Sequence, residues 1–185
     1  DLPSSPSFTV QKKTFIRNYD GTVKITLNEK RDLVLLGFYV PGIQESIQPL
    51  ILSSLLSSKA GRLQKLIDRR IIGGFTVDYS TLIYESLFTV ALFGFKDKHK
   101  AVSSLINEIK KPVTQSELKK LKERIKAEYT IEYNTLKVIN TAGIQQLLFG
   151  NPTYLFDRLF DDREYEKLSD FANKLTEQYI EIGYE

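Results

Sequence analysis

The sequence predicts an α+β fold: a largely antiparallel sheet of about five or six strands covered by helices, one of them long and spanning about residues 114–149. Two observations predict it. Period-two alternation and short apolar runs gather in residues 8–40 and again in residues 73–95, whereas helical spacing of apolar residues occupies 46–70 and nearly everything after 97. Three strands, two helices, two strands and then helices read as one layer of helices on one sheet, in a single domain over residues 8–185.

Each element follows from its residues. Phe8, Val10, Phe15 and Ile16 mark a first strand, and Asp20-Gly21 a turn. Val23, Ile25 and Leu27 alternate cleanly over residues 22–27. Residues 33–40 are almost wholly apolar, as expected of a central strand covered on both faces, and Pro41-Gly42 ends it. Residues 46–58 form the first helix, with Ile47, Leu50, Ile51 and Leu55 inward. Small residues from Ser57 to Gly61 allow a tight turn. Leu63, Leu66 and Ile67 then recur at helical spacing, while Arg62, Lys65, Arg69 and Arg70 are expected to face water.

Two long strands come next, at residues 73–80 and 84–95. The glycine pair Gly73-Gly74 lacks the spacing of a phosphate loop and is expected to serve close backbone approach or a positive backbone angle. Asp97 is placed as the N-cap of a helix whose apolar face is Val102, Leu105, Ile106 and Ile109, stopped by Pro112. Thr114-Gln115-Ser116-Glu117 has the capping-box spacing and opens the long helix, with Leu118, Leu121, Ile125, Tyr129, Leu136, Gly143 and Leu147 along one stripe. Gly150-Asn151-Pro152 breaks it, and two helices at 154–160 and 165–180 are expected to close the chain.

Composition bounds the chemistry. The chain has 185 residues, 42% apolar and 26% charged, with 26 basic and 23 acidic residues giving a net charge of +3. That near-balance argues against a dedicated nucleic-acid binder. No apolar run reaches membrane-spanning length, and the absence of cysteine leaves a cytoplasmic or a periplasmic location equally open. Residues 1–7, with Pro3 and Pro6, read as a linker-like start, as expected of a piece of something longer.

The candidate sites are thin. One histidine and no cysteine cannot assemble a protein-only zinc site of the usual kind. His99 lies among Lys96, Asp97, Lys98 and Lys100 and reads as a solvated side chain. The basic run from Lys119 to Lys126 is interleaved with acids that give Lys119–Glu123 and Arg124–Glu128 pairs, so it reads as a solvated helix face; a nucleic-acid contact there is the competing reading. Asp161, Asp162, Glu164 and Glu166 lack the glycine and alternate spacing of a calcium loop and read as an exposed helix junction.

Gly61-Arg62-Leu63 with its helix, then Gly74-Phe75-Thr76-Val77, then Thr114-Gln115-Ser116-Glu117-Leu118 with Lys126-Ala127, resemble in order and spacing the insulinase/pitrilysin metallopeptidase family, and most closely its non-catalytic repeat domain. The resemblance covers about residues 8–180, and the run from Leu147 to Pro152 with the final short helices resembles the family's closing segment. The family's inverted zinc motif, His-x-x-Glu-His, is missing. Its substrate-contacting arginine and tyrosine fall on Asp68 and Phe75, so the usual carbonyl-binding pair is lost. Asp68, Phe75, Arg62 and Arg69 are the substrate-wall candidates.

The resemblance implies a wall of a closed peptidase chamber: no catalytic residue and no metal in this chain, zinc in a partner domain or subunit, and a peptide or unfolded polypeptide as what the assembly holds. A structural or assembly subunit of the same fold, with no proteolytic role, is the alternative it implies.

Overall fold

The computed structural model describes residues 22–27, 32–58, 61–80, 85–132 and 136–184. The first strand expected at residues 8–16 and the linker-like start lie outside them.

Among the described residues five strands form one open sheet: β1 (Val23–Leu27), β2 (Leu33–Pro41), β3 (Gly74–Tyr79), β4 (Glu85–Phe93) and β5 (Ile180–Tyr184), in the spatial order β1-β5-β2-β4-β3. Three of the four pairings are antiparallel; β1 and β5 run parallel, with Val23 opposite Ile180. The helices are α1 (Gln48–Ser57), α2 (Gln64–Asp68), α3 (Lys98–Lys110), α4 (Gln115–Glu132), α5 (Leu136–Phe149), α6 (Tyr154–Phe160), α7 (Asp162–Glu166) and α8 (Leu168–Leu175).

The core lies between the sheet and these helices. Val34, Leu36, Phe38 and Val40 of β2 and Phe88, Val90 and Leu92 of β4 meet Ile47 at the N-cap of α1, Ile51 and Leu55 of α1, and Leu105 and Ile109 of α3. Each such side chain contributes about 1.5–3 kcal/mol on burial. The alternation along β2 corrects one expectation. Leu33, Leu35 and Tyr39 point to the other face and are only half-buried, so the central strand is shielded on one face and not on both.

Local signals were reliable. Asp97 accepts from Lys100 N at 3.0 Å and caps α3. Thr114 Oγ1 accepts from Glu117 N at 3.2 Å while Glu117 Oε2 accepts from Thr114 N at 3.0 Å, which is the reciprocal capping box at the start of α4. A Cβ on Gly61 would sit 2.6 Å from Ser58 Oγ and 2.8 Å from Leu55 O, so only glycine fits that turn. Gly73 meets Gly94 backbone to backbone, and Gly74 lies under the Phe93 ring, so the glycine pair serves close approach.

Two expectations change. The stretch expected as one long helix is helical over α4 and α5, with residues 133–135 between them outside the described part. Its inward stripe holds for Leu118, Leu121 and Ile125, but Gly143 and Leu147 are exposed. The helix expected at 165–180 is replaced by α7, α8 and then β5. Thr176 Oγ1 donates to Ala172 O and Asn173 O at the end of α8, and the alternation of Ile180, Ile182 and Tyr184 then enters the sheet.

Candidate functional site

Arg62 stands directly after the Gly61 turn, at the entry to α2. It was expected to face water, and instead it is 1% exposed. All five of its N–H groups donate: Nε to Glu117 Oε1 at 3.1 Å, Nη1 to Glu108 O and Lys111 O at 2.8 and 2.6 Å, and Nη2 to Pro112 O and Glu117 Oε2 at 3.1 and 3.2 Å. A guanidinium tolerates such burial only when its donors are satisfied and its charge is paired, and both conditions hold here. The carbonyls it takes are those left open where α3 ends, so one side chain ties α2, the α3 terminus and the start of α4 together.

Burial of Glu117 opposes its ionisation, but Arg62 and Thr114 outweigh that and hold its carboxyl down at about 2. The pair is therefore charged on both sides in any ordinary buffer.

The other wall candidates lie apart from this knot. Asp68 and Arg69 are exposed at the end of α2, where Gln64 Nε2 donates to Asp68 Oδ1 at 3.2 Å. Phe75 is half-buried on the helix-covered side of β3, opposite Leu92, and packs against the core. The chain leaves α2 through Arg70, a non-glycine residue at φ 57°, before Ile71 N donates to Leu66 O at 2.9 Å.

A second buried charge escaped the sequence reading. Glu164, grouped there with an exposed acidic junction, is buried; its Oε1 accepts from Arg158 Nε and Nη2 at 3.1 and 2.9 Å and its Oε2 from Gln48 Nε2 at 2.7 Å. Burial works against its ionisation, and Arg158 with Gln48 reverses the balance and lowers its pKa. Arg158 also donates to Ile43 O, linking α6 to the loop after β2. The neighbours of Glu164 do sit outside: Asp161 caps α7 and pairs with Arg163 at 2.7 Å. The Lys119–Glu123 pair is present at 4.0 Å, whereas the expected partner of Arg124 lies outside the described side chains and Arg124 Nη2 donates to Ser54 O at 3.1 Å. His99 is exposed in the first turn of α3.

The larger surface feature is the sheet face turned away from the helices. The registers place Val23, Ile25, Leu27, Ile180, Ile182, Leu35, Tyr39, Leu87 and Phe93 on that face, and Ile25, Leu27, Leu87 and Phe93 are exposed. At its centre, Gly37 has nothing within 4 Å of where a Cβ would stand, which leaves a shallow trough across β2.

No protein-family model matches the chain, and no curated protein is similar to it in sequence. Solved structures are similar in fold. A protease from Helicobacter pylori matches with a TM-score of 0.68 at 22% identity, over 94% of this chain and 48% of that one. A peptidase M16 inactive domain from Pseudomonas fluorescens matches with a TM-score of 0.68 at 14% identity, over 100% and 48%. An inactive peptidase domain from Bordetella parapertussis matches with a TM-score of 0.60 at 19% identity, over 82% and 91%.

The architecture is that of the M16, or insulinase/pitrilysin, peptidase domain, in agreement with the resemblance read from the sequence, and inactive domains share it. The chain spans about half the length of the Helicobacter and Pseudomonas proteins.

Zinc is the metal this architecture brings to mind, and the donor set does not fit it. The sequence has one histidine and no cysteine, and among the described residues no three His, Cys, Asp or Glu side chains gather. No step of a zinc reaction is assigned to these residues. Among the described residues no helix is long and apolar enough to cross a membrane.

Proposed function

We propose that this chain is a non-catalytic domain or subunit of an insulinase-family zinc metallopeptidase, forming part of the substrate chamber and the interface to a zinc-bearing half. The observation that carries the reading is the open sheet face. A monomeric domain rarely leaves a continuous apolar sheet face uncovered, and here Ile25, Leu27, Leu87 and Phe93 stand on one. A neighbouring α/β unit covers it, and the chain's span of about half the length of two structural neighbours supports such a unit.

In such an assembly zinc, held by the partner, would supply the activated water. This chain contributes shape: a rigid junction at Arg62, and a surface at Asp68, Arg69 and the edge of Phe75 that lines the space where a peptide or unfolded polypeptide is held.

The test is a peptidase assay and a metal analysis, on the chain alone and then mixed with the zinc-bearing polypeptide that co-purifies with it. No cleavage by the chain, and chelator-sensitive cleavage by the mixture, is expected. Chelator-sensitive cleavage by the chain alone, or one tightly held zinc per molecule, overturns the proposal. A co-purifying assembly with no zinc in any chain assigns the structural-subunit role instead.

A further inference from the structure

Helix α2 ends on an arginine where the backbone geometry suits glycine. Ile71 N donates to Leu66 O at 2.9 Å and Arg70 N to Ile67 O at 2.8 Å, the two bonds that close a helix through a left-handed residue. That residue is Arg70, at φ 57° with an exposed side chain. Glycine adopts this conformation without strain, and the other positive-φ residues described, Gly94 and Gly150, are glycine. A side chain kept at such a position points to a use for it.

Arg70 does not stand alone. Lys65 and Arg69 are exposed three and seven residues after Arg62, which puts them on the flank of α2 that Arg62 turns toward α3. The end of α3 brings the exposed Lys110 and Lys111 to that flank, because Arg62 Nη1 donates to Glu108 O and Lys111 O. Among the described residues the side chains of Lys65, Arg69, Arg70 and Lys110 make no hydrogen bond or ion pair, and Lys111 shares Glu108 at 3.4 Å. Asp68, the carboxylate of α2, accepts from Gln64 instead.

The helix ends do not account for this cluster. Cations near a helix C-terminus ordinarily answer its open carbonyls. At α3 the carbonyls of Glu108 and Lys111 are already taken by Arg62, and α2 has only 5 residues. Nor does composition account for it, since the chain carries 26 basic and 23 acidic residues.

We infer that Lys65, Arg69, Arg70, Lys110 and Lys111 form a binding surface for an acidic stretch of polypeptide in extended conformation. Lys65 and Arg69 are one helical turn apart, about 6 Å along the axis. Alternate side chains of an extended peptide stand on one side about 7 Å apart, so carboxylates at alternate positions meet both cations. A guanidinium pairs with a carboxylate through two parallel N–H groups, which suits the two arginines. The Arg62–Glu117 pair holds α2 against the end of α3, so the cations stand on fixed supports while the charge of Arg62 itself is neutralised inside. A nucleic acid fits less well: neither helix end offers an aromatic ring on which a base could stack. The inference rests on the proposed reading that this chain lines a space for polypeptide, and names the polypeptides favoured there.

The test is fluorescence anisotropy at low salt, with the chain titrated into a labelled peptide of alternating glutamate and threonine and into its glutamine-threonine counterpart. The glutamate peptide should bind tighter by about tenfold or more, and added salt should erase the difference. Arg69→Ala with Arg70→Gly should weaken that binding by about tenfold or more while the melting temperature holds or rises, because glycine suits position 70. Lys96→Ala with Lys100→Ala removes the same charge near the start of α3 and should leave binding nearly unchanged.

Equal binding of the two peptides, an equal loss from the Lys96 and Lys100 control, or tighter binding of a single-stranded oligothymidine of the same charge overturns the inference. Those outcomes leave the peptidase and metal assays of the proposed function standing. Chelator-sensitive cleavage by the chain alone removes that function, and the peptide titration is read independently of it.

Discussion

The Glu117 carboxylate accepts from Arg62 Nε and Nη2 at 3.1 and 3.2 Å and, through the same Oε2, from Thr114 N at 3.0 Å. One carboxylate therefore completes a helix cap and neutralises the largest fully buried side chain among the described residues. Removing either partner strands the other.

Arg62→Met is expected to lower stability by about 3–5 kcal/mol, the range for breaking a buried charge pair from one side. It also leaves the carbonyls of Glu108, Lys111 and Pro112 without this donor. Urea unfolding of Arg62→Met, Glu117→Gln and the double variant checks it; the double variant should cost much less than the sum of the singles. Additive losses would show the pair to be uncoupled.

Acid should find the same pair. The folded pKa of Glu117 lies at about 2, below its ordinary 4.5, so its stabilising contribution is complete above about 4.5 and fades as pH falls toward 2. Melting temperatures from pH 7 to pH 2 should drop more steeply for the unsubstituted chain than for Glu117→Gln, and the two curves should converge near pH 2. Parallel curves would contradict this.

Much of the fold is legible in the sequence where partners are close along the chain. The capping box at Thr114, the Asp97 cap and the Gly61 turn each depend on residues within a few positions, and each is identified from spacing. Arg62 is misread because a cation beside an amphipathic helix normally faces water, and its five acceptors come from residues 108–117, folded over it from elsewhere. Glu164 is misread for the same reason, since Gln48 reaches it from α1. Strand β5 escapes because five alternating residues after a helix carry little signal until β1 and β2 stand on either side.

Gly74→Val should lower stability by about 1–3 kcal/mol, because the Phe93 ring already fills the space over Gly74 on the neighbouring strand. Pairing it with Phe93→Ala should recover much of the loss, measured by thermal unfolding. No recovery would place the strain in the backbone.

Phe75→Ala should cost about 1–3 kcal/mol, as the loss of a half-buried aromatic packed against the core. Peptide capture by the assembled protein, measured beside the melting temperature, separates two roles. Unchanged capture assigns the ring to the core, and weakened capture at unchanged melting temperature assigns it to the chamber wall.

Glu164→Ala should destabilise by about 3–5 kcal/mol, since Arg158 loses its carboxylate and Gln48 Nε2 keeps only the Glu164 backbone carbonyl as acceptor. Glu164→Gln, which keeps the acceptor for Arg158, should cost less. Chemical denaturation of the two variants side by side tests the ordering.

Strand β5 slots between β1 and β2, and it is made of the last residues described. Among the described residues β1 pairs only with β5, so during synthesis it leaves the ribosome long before the strand that joins it to the sheet. Assembly of that half of the sheet is consequently a late event, governed by the slow closing of more than 150 or so residues into one loop. A ribosome stalled before β5 emerges would hold a polypeptide whose β1 has no seat.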